Sequence, residues 1–298
     1  LRKGLGGVIF FAKDVQSENQ VKSQIKNYKK LALIPPFISI DQEGGRVERT
    51  EALYPRRLSA KFAYEKGCEF LKSQSEEISR ELADLGFNLN FAPCVDVNTN
   101  PKNPIIGERA FSSVPDDVIQ GAKIFIESSR NNSVIPCIKH YPGHGDADSD
   151  SHFKLPKISL SMKEMEEQHI KPFKVLIENS IEMVMVAHLH CTCFDEGVIP
   201  TSLSKKAIAY LREELGYEGV VITDDMNMKG VQAFGSLEAC VMAIKAGVDM
   251  FIFRSSDETT LKLIDELVDV VEKDDELIDM VNKSYERIIG LKKGRGLI

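Results

Sequence analysis

Apolar residues recur along this chain in short solid blocks, separated by longer stretches where they return every three or four positions. The solid blocks, at 6–11, 36–40, 88–97, 134–138, 183–187, 219–223 and 249–253, are apolar on both alternating faces. Strands covered on both sides read this way. Between them the helical period takes over. Ser17-Glu18-Asn19-Gln20 is a capping box ahead of Val21, Ile25 and Tyr28, which share one helix face. Leu71, Ile78, Leu82 and Leu85 mark the next helix, which Gly86 ends, and another pattern runs through 115–130. Ser161-Met162-Lys163-Glu164 is a second capping box, and Pro172 kinks or restarts the helix behind it. Ser204 caps a helix that Gly216 closes, 236–246 gives a short one, and Leu261, Ile264 and Leu267 precede a last helix through 278–291. Seven strands, nearly every one followed by a helix, predict parallel strands shielded by helices.

Polar residues decide how such a sheet is arranged. They cluster after the second, third, fourth, fifth and sixth strands, always at the C-terminal end. A barrel gathers those ends around one pocket, whereas an open sheet spreads them along a line. The expectation is an α/β protein, a single (β/α)8 TIM-type barrel domain over 1–298. No linker, repeat or low-complexity segment argues for a second domain.

Composition narrows the partners. With 43% hydrophobic and 28% charged residues the chain has ordinary soluble character, and a net charge of -7 disfavours nucleic acid and acidic membrane surfaces. No apolar run reaches the ~18 residues of a membrane span, and no signal peptide is visible. The six Cys are scattered; Cys94 and Cys137 sit inside apolar blocks, and Cys191-Thr192-Cys193 is poorly spaced for a disulfide. Reduced thiols and a cytoplasmic setting are expected, and so is a monomer.

The densest chemistry lies in 139–152, where three His and three Asp follow a strand and Pro142, Gly143 and Gly145 turn the backbone sharply. Asp150 and His152 are two apart, so in an extended segment their side chains point the same way, and the carboxylate would favour the protonated imidazole. Thr223-Asp224-Asp225-Met226 ends another strand, with one carboxylate facing a barrel mouth and the other the helix shell. A carboxylate opposite a proton donor is the arrangement that breaks a glycosidic bond. Arg46, Arg49, Arg109 and Lys139 add donors at the same rim and Asp41 an acceptor, which suits a ligand rich in hydroxyls or carrying an anion. Metal readings are weaker. Asp146, Asp148 and Asp150 match the start of a calcium loop, but Ser151 replaces its Gly and Lys157 its final Glu. His188, His190, Cys191 and Cys193 read better as rim polarity than as zinc ligands. No metal or other cofactor is expected.

Several of these segments together resemble glycoside hydrolase family 3, and among its members the β-N-acetylglucosaminidases of the peptidoglycan-recycling type. They are Asp41-Gln42-Glu43-Gly44-Gly45-Arg46-Val47-Glu48-Arg49, Asn90-Phe91-Ala92-Pro93, 103–111, Lys139-His140-Tyr141-Pro142-Gly143-His144-Gly145 with Asp150-Ser151-His152, and Thr223-Asp224-Asp225-Met226. The resemblance spans nearly the whole chain. It implies Asp224 as nucleophile, His152 as acid/base with Asp150 as its partner, and Asp41, Arg49, Arg109, Lys139 and His140 as the residues that hold the sugar. It also implies retention through a glycosyl ester on Asp224. A small-molecule carbohydrate is the expected substrate.

Two departures matter. Such a barrel normally opens with a strand and helix ahead of the segment at 6–9, so either that unit is absent or seven strands close with a substitute. The chain has no Trp, so sugar stacking must use other side chains, which favours a small single-sugar pocket. The competing readings are a phosphorylase or β-glucosidase on the same scaffold, a sugar-binding barrel without turnover, and a zinc-dependent hydrolase.

Overall fold

In the computed structural model, which describes residues 4–147, 155–255 and 257–298, all seven apolar blocks become strands of one parallel sheet. β1 (Gly7–Phe10), β2 (Phe37–Ile40), β3 (Leu89–Asn90), β4 (Ile135–Tyr141), β6 (Met183–Val186), β8 (Val220–Asp225) and β9 (Met250–Ile252) pair in that order. β5 (Lys157–Ile158) and β7 (His190–Cys191) form a separate two-stranded ladder above it. Sequence patterning missed that ladder because two-residue strands leave no period to read.

The strand alternation divides two cores. Phe37, Leu89, Ile135, Cys137, Met183, Met185, Val220, Ile222 and Ile252 come from six strands yet meet in one cluster, with Ile9 of β1 packed on it. The intervening Ile38, Ile40, Ile138, Val184, Val186 and Val221 face the helices instead. One interior cluster fed by every strand means that the sheet is curled. At about 25 cal/mol per Å² of apolar surface, this two-sided burial is the main force holding the strands.

Of the eight-stranded barrel expected from the sequence, the described residues form a curled parallel sheet of seven strands. Among the described residues no ladder joins β9 to β1. Their starting ends are close all the same, since a Cβ on Gly6 would stand 3.0 Å from Met250 Cε. The C-terminal helix Asp275–Gly294 plugs this end: Ile288 and Leu291, with Leu297 just beyond, pack onto the interior cluster. Lys292 lies among them, its Nζ donating to Gly6 O at 3.0 Å and sitting 4.7 Å from the centre of the Phe37 ring. Side chains thus do at the seam what an eighth strand would do.

The third apolar block is also shorter as a strand than expected. Pairing stops after Asn90, whose side chain donates to Gln42 O and accepts from Gln42 N, both at 2.9 Å. Pro93 then has no N–H to give a ladder. The chain returns to β4 through Cys137 N donating to Ala92 O at 3.1 Å and through the Cys94–Lys139 bridge, with Val95 N donating to Lys139 O at 2.7 Å. This detour is what carries Cys94 and Asp96 under the site.

The helices follow the sequence signals. Ser17, Ser161 and Ser204 each accept a backbone N–H as N-caps. Pro172 restarts a helix at Lys171–Glu178 after one π-helical stretch, Met165–Ile170.

Candidate active site

Because the strands are parallel, β2, β4, β6 and β8 all deliver their polar ends to one rim. Asp41 follows β2, Lys139 and His140 lie on the last turn of β4's pleat, His188 follows β6 and Asp224 ends β8.

A chain of charges links the first of these. Lys139 Nζ lies 2.7 Å from Asp41 Oδ1 and 2.6 Å from Glu43 Oε1. Arg109 reaches the same Glu43 through two bonds, Nε to Oε2 at 2.9 Å and Nη2 to Oε1 at 2.8 Å. Glu43 is thus a buried carboxylate shared by two cations. Burial works to raise its pKa, but Arg109 and Lys139 outweigh it and hold the group far below the ordinary carboxylate range. The Lys139 ammonium is in turn held charged: burial disfavours it, and Asp41 and Glu43 more than compensate.

Donor accounting shows what remains for a ligand. Of the five N–H groups of a guanidinium, Arg109 commits four, to Glu43 twice, to Ile105 O and to His140 Nε2. Lys139 commits two of three. Each therefore keeps one N–H uncommitted among the described residues, rigidly aimed, which suits sugar hydroxyls or an amide oxygen better than a second full anion.

Asp224 closes the other side. Its Oδ1 accepts Asp225 N at 2.7 Å. Burial raises its pKa, yet His140, His188, the Asp225 N–H and Lys139 together bring it below the usual carboxylate value, so the group is ionised at neutral pH. Asp225 faces the opposite way, as strand alternation requires, accepting Asn227 N and Arg254 N. His188 supports this strand end. A backbone carbonyl only accepts, so His188 Nε2–H donates to Asp225 O at 3.1 Å, and Nδ1 pairs with Ser202 Oγ at 2.7 Å.

Not every expected residue joins this cluster. Asp41, Arg109, Lys139, His140 and Asp224 converge. Among the described residues, the buried Arg49 Nε has no hydrogen-bond partner. Arg46 is exposed and donates to Pro104 O at 2.8 Å. Asp150 and His152 lie outside the described residues. Sequence reading passed over Glu43, Asp96 and His188 as site residues. A signal existed for the first: an acid followed by two Gly after a buried strand, with unpaired basic residues downstream.

One group of side chains, Cys94, Asp96 and His140, brings metal-binding atoms together among the described residues. These atoms already bond one another, His140 Nδ1 to Asp96 Oδ2 at 2.6 Å and Cys94 Sγ to the same oxygen at 3.1 Å. Burial, reinforced by Asp96, pushes the Cys94 thiol up, which keeps it protonated and a poor ligand. His188 and His190 are likewise engaged by protein partners.

The site's titration sets an acid limit on stability. Burial holds His144 down to about 4, while the carboxylates of Glu43, Asp96 and Asp224 sit below their ordinary values. All four bind protons more readily unfolded than folded, so each contributes stability that is complete above its unfolded pKa and lost as pH falls toward its folded one. Unfolding midpoints measured by calorimetry should therefore decline gently below pH ~6.5, from His144, and steeply below pH ~4, from the carboxylates. A flat profile down to pH ~3 would contradict these burials.

Known proteins share this architecture. Residues 1–291 match the family model for the glycosyl hydrolase family 3 N terminal domain. The chain is 32% identical over 320 residues to Beta-hexosaminidase A of Pseudoalteromonas piscicida, across 98% of this chain and 54% of that protein. It is 34% identical over 272 residues to a Beta-hexosaminidase of Photobacterium profundum, across 89% of this chain and 79% of that one. A solved glycoside hydrolase family 3 beta-N-acetylglucosaminidase from Paenibacillus sp. str. FPU-7 superimposes with a TM-score of 0.93 at 31% identity, covering 98% of this chain and 57% of its own. The chain thus spans little more than half the length of two of these three.

Proposed function

The chain belongs to glycoside hydrolase family 3, and from that premise we propose that it is an exo-acting, retaining β-N-acetylglucosaminidase. Muropeptides of cell-wall recycling are its proposed substrates, the cytoplasm its setting, and 1–298 one TIM-type catalytic domain completed by the C-terminal helix. The observation that carries the reading is Asp224: a half-buried, ionised carboxylate at a strand end, across from a fixed lattice of cationic donors. The names of the similar proteins support the sugar.

In the first step an Asp224 oxygen attacks the anomeric carbon. The glycosidic C–O bond breaks, and the His152 imidazolium gives its proton to the departing oxygen. Asp150 favours that protonated state. In the second step neutral His152 takes a proton from water, whose oxygen attacks the same carbon and releases Asp224 as carboxylate. Two inversions retain the β configuration. Arg109 and Lys139 each offer one rigid N–H to the bound sugar, so part of the ordering cost is met before the substrate arrives.

The test is release of p-nitrophenol from p-nitrophenyl N-acetyl-β-glucosaminide, with and without phosphate and with and without a chelator. Turnover indifferent to both additives is the expected result. A steep rise with phosphate that yields a sugar phosphate would make the protein a phosphorylase. Loss on chelation would make it a metal hydrolase, and preference for the glucoside would overturn the sugar.

A further inference from the structure

Asp96 is wholly buried at 0% exposure, and no part of the proposed chemistry uses it directly. Four groups nevertheless converge on its carboxylate. Oδ1 accepts His144 N at 2.6 Å and His140 N at 3.3 Å, and Oδ2 pairs with His140 Nδ1 at 2.6 Å and Cys94 Sγ at 3.1 Å. One side chain thus ties the end of β4 to the turn that leads toward 148–154.

The proton on His140 can be placed from its partners alone. Arg109 Nη2 lies 3.3 Å from His140 Nε2, and a guanidinium can only donate. Nε2 must therefore be the acceptor, and the ring proton must sit on Nδ1, where Asp96 Oδ2 receives it. A proton on Nε2 would set two donors against each other and break the contact with Arg109. Nη2 has two hydrogens and spends the second on Glu43 Oε1 at 2.8 Å, so the guanidinium plane is fixed from both sides. The resulting order is continuous: Asp96, His140, Arg109, Glu43, Lys139, Asp41.

We propose that Asp96 is a positioning residue that locks His140 in the Nδ1–H tautomer and thereby orients Arg109 toward the sugar. Its kinetic consequence rests on the proposed hydrolase reading; its tautomer consequence does not. The device has the logic of a serine-protease aspartate, which sets which nitrogen of its histidine carries the proton without itself reacting. A purely structural role for Asp96 would need the backbone bonds to His140 and His144 but would leave the ring proton's place indifferent.

Asp96→Asn separates these roles. Its amide oxygen can still accept His144 N, which preserves the turn. Its NH2 group faces His140 Nδ1 and demands a lone pair there, so the ring proton moves to Nε2 and opposes Arg109. The measurement is nitrogen NMR of the histidine-labelled protein without substrate, with the His140 signals assigned by His140→Gln. In the wild type the expected protonated nitrogen is Nδ1, and in Asp96→Asn it is Nε2. Alongside, kcat/KM on the aryl glycoside should fall about 10–100-fold, the range for outer partners that orient a site histidine. A wild-type His140 protonated on Nε2 would overturn the proposal even if no variant folds. So would an Asp96→Asn protein with unchanged tautomer and unchanged kcat/KM. Absence of any glycosidase activity in the wild type would defeat the hydrolase reading and leave the tautomer assignment standing.

Discussion

Asp224→Asn is expected to lower kcat by at least about 10⁴-fold, equivalent to about 5.4 kcal/mol of lost barrier reduction. The substitution is close to isosteric, and the amide oxygen can still accept Asp225 N, so the end of β8 has no reason to move. What disappears is the charge and the ability to form an ester with the anomeric carbon. KM should change little, because the donors of Arg109 and Lys139 are anchored by Glu43 and Asp41 rather than by Asp224. Thermal stability at neutral pH should fall modestly, since the ionised carboxylate is favoured on folding by His140, His188, the Asp225 N–H and Lys139 more than its burial disfavours it. Steady-state kinetics and a melting curve check this together. A loss below about 100-fold with intact folding would show that Asp224 does not form the bond.

Glu43→Ala is expected to destabilise the fold by about 3–5 kcal/mol, the cost of stripping one partner from a buried ion cluster. In the native site two cations, Arg109 and Lys139, face two anions, Glu43 and Asp41, and the set is neutral. Removing Glu43 leaves Arg109 with no anion among its described bonds, and Lys139 with Asp41 alone. Exchanging the whole cluster for apolar groups could be nearly neutral, but removing one member leaves a buried charge uncompensated. Glu43→Gln should be costly too, because one end of the amide turns N–H groups toward guanidinium or ammonium. In either variant KM should rise as the two sugar-facing donors lose their aim. Denaturant unfolding of the variants measures the effect. A change below about 1 kcal/mol for Glu43→Ala would mean that solvent or a rearranged partner neutralises the cluster.

These two residues also show how far the sequence could be read. Asp224 was legible because it ends an apolar block, and in a parallel sheet such an end faces the site. Lys139, His140 and Asp41 were legible for the same reason. Asp96 was not, because its partner lies 44 residues away and nothing local marks it, while Glu43, whose partner lies 66 residues away, left only the Gly-Gly that follows it as a local hint. The seven strands were legible from two-sided apolarity. The seam between β9 and β1, unpaired among the described residues, was not: the period of 278–291 announces a helix, but only tertiary packing tells that Ile288, Leu291 and Lys292 plug the sheet.

The most direct test of the account asks whether Asp224 becomes covalently attached to sugar. A 5-fluoro N-acetylglucosaminyl fluoride combines a good leaving group with a ring fluorine that slows both steps through an electron-poor anomeric centre, so the intermediate should accumulate. Intact-mass spectrometry followed by peptide mapping would then show one added glycosyl unit on the peptide containing Asp224, and none in Asp224→Asn. Turnover without any adduct, or an adduct on a different side chain, would contradict the account.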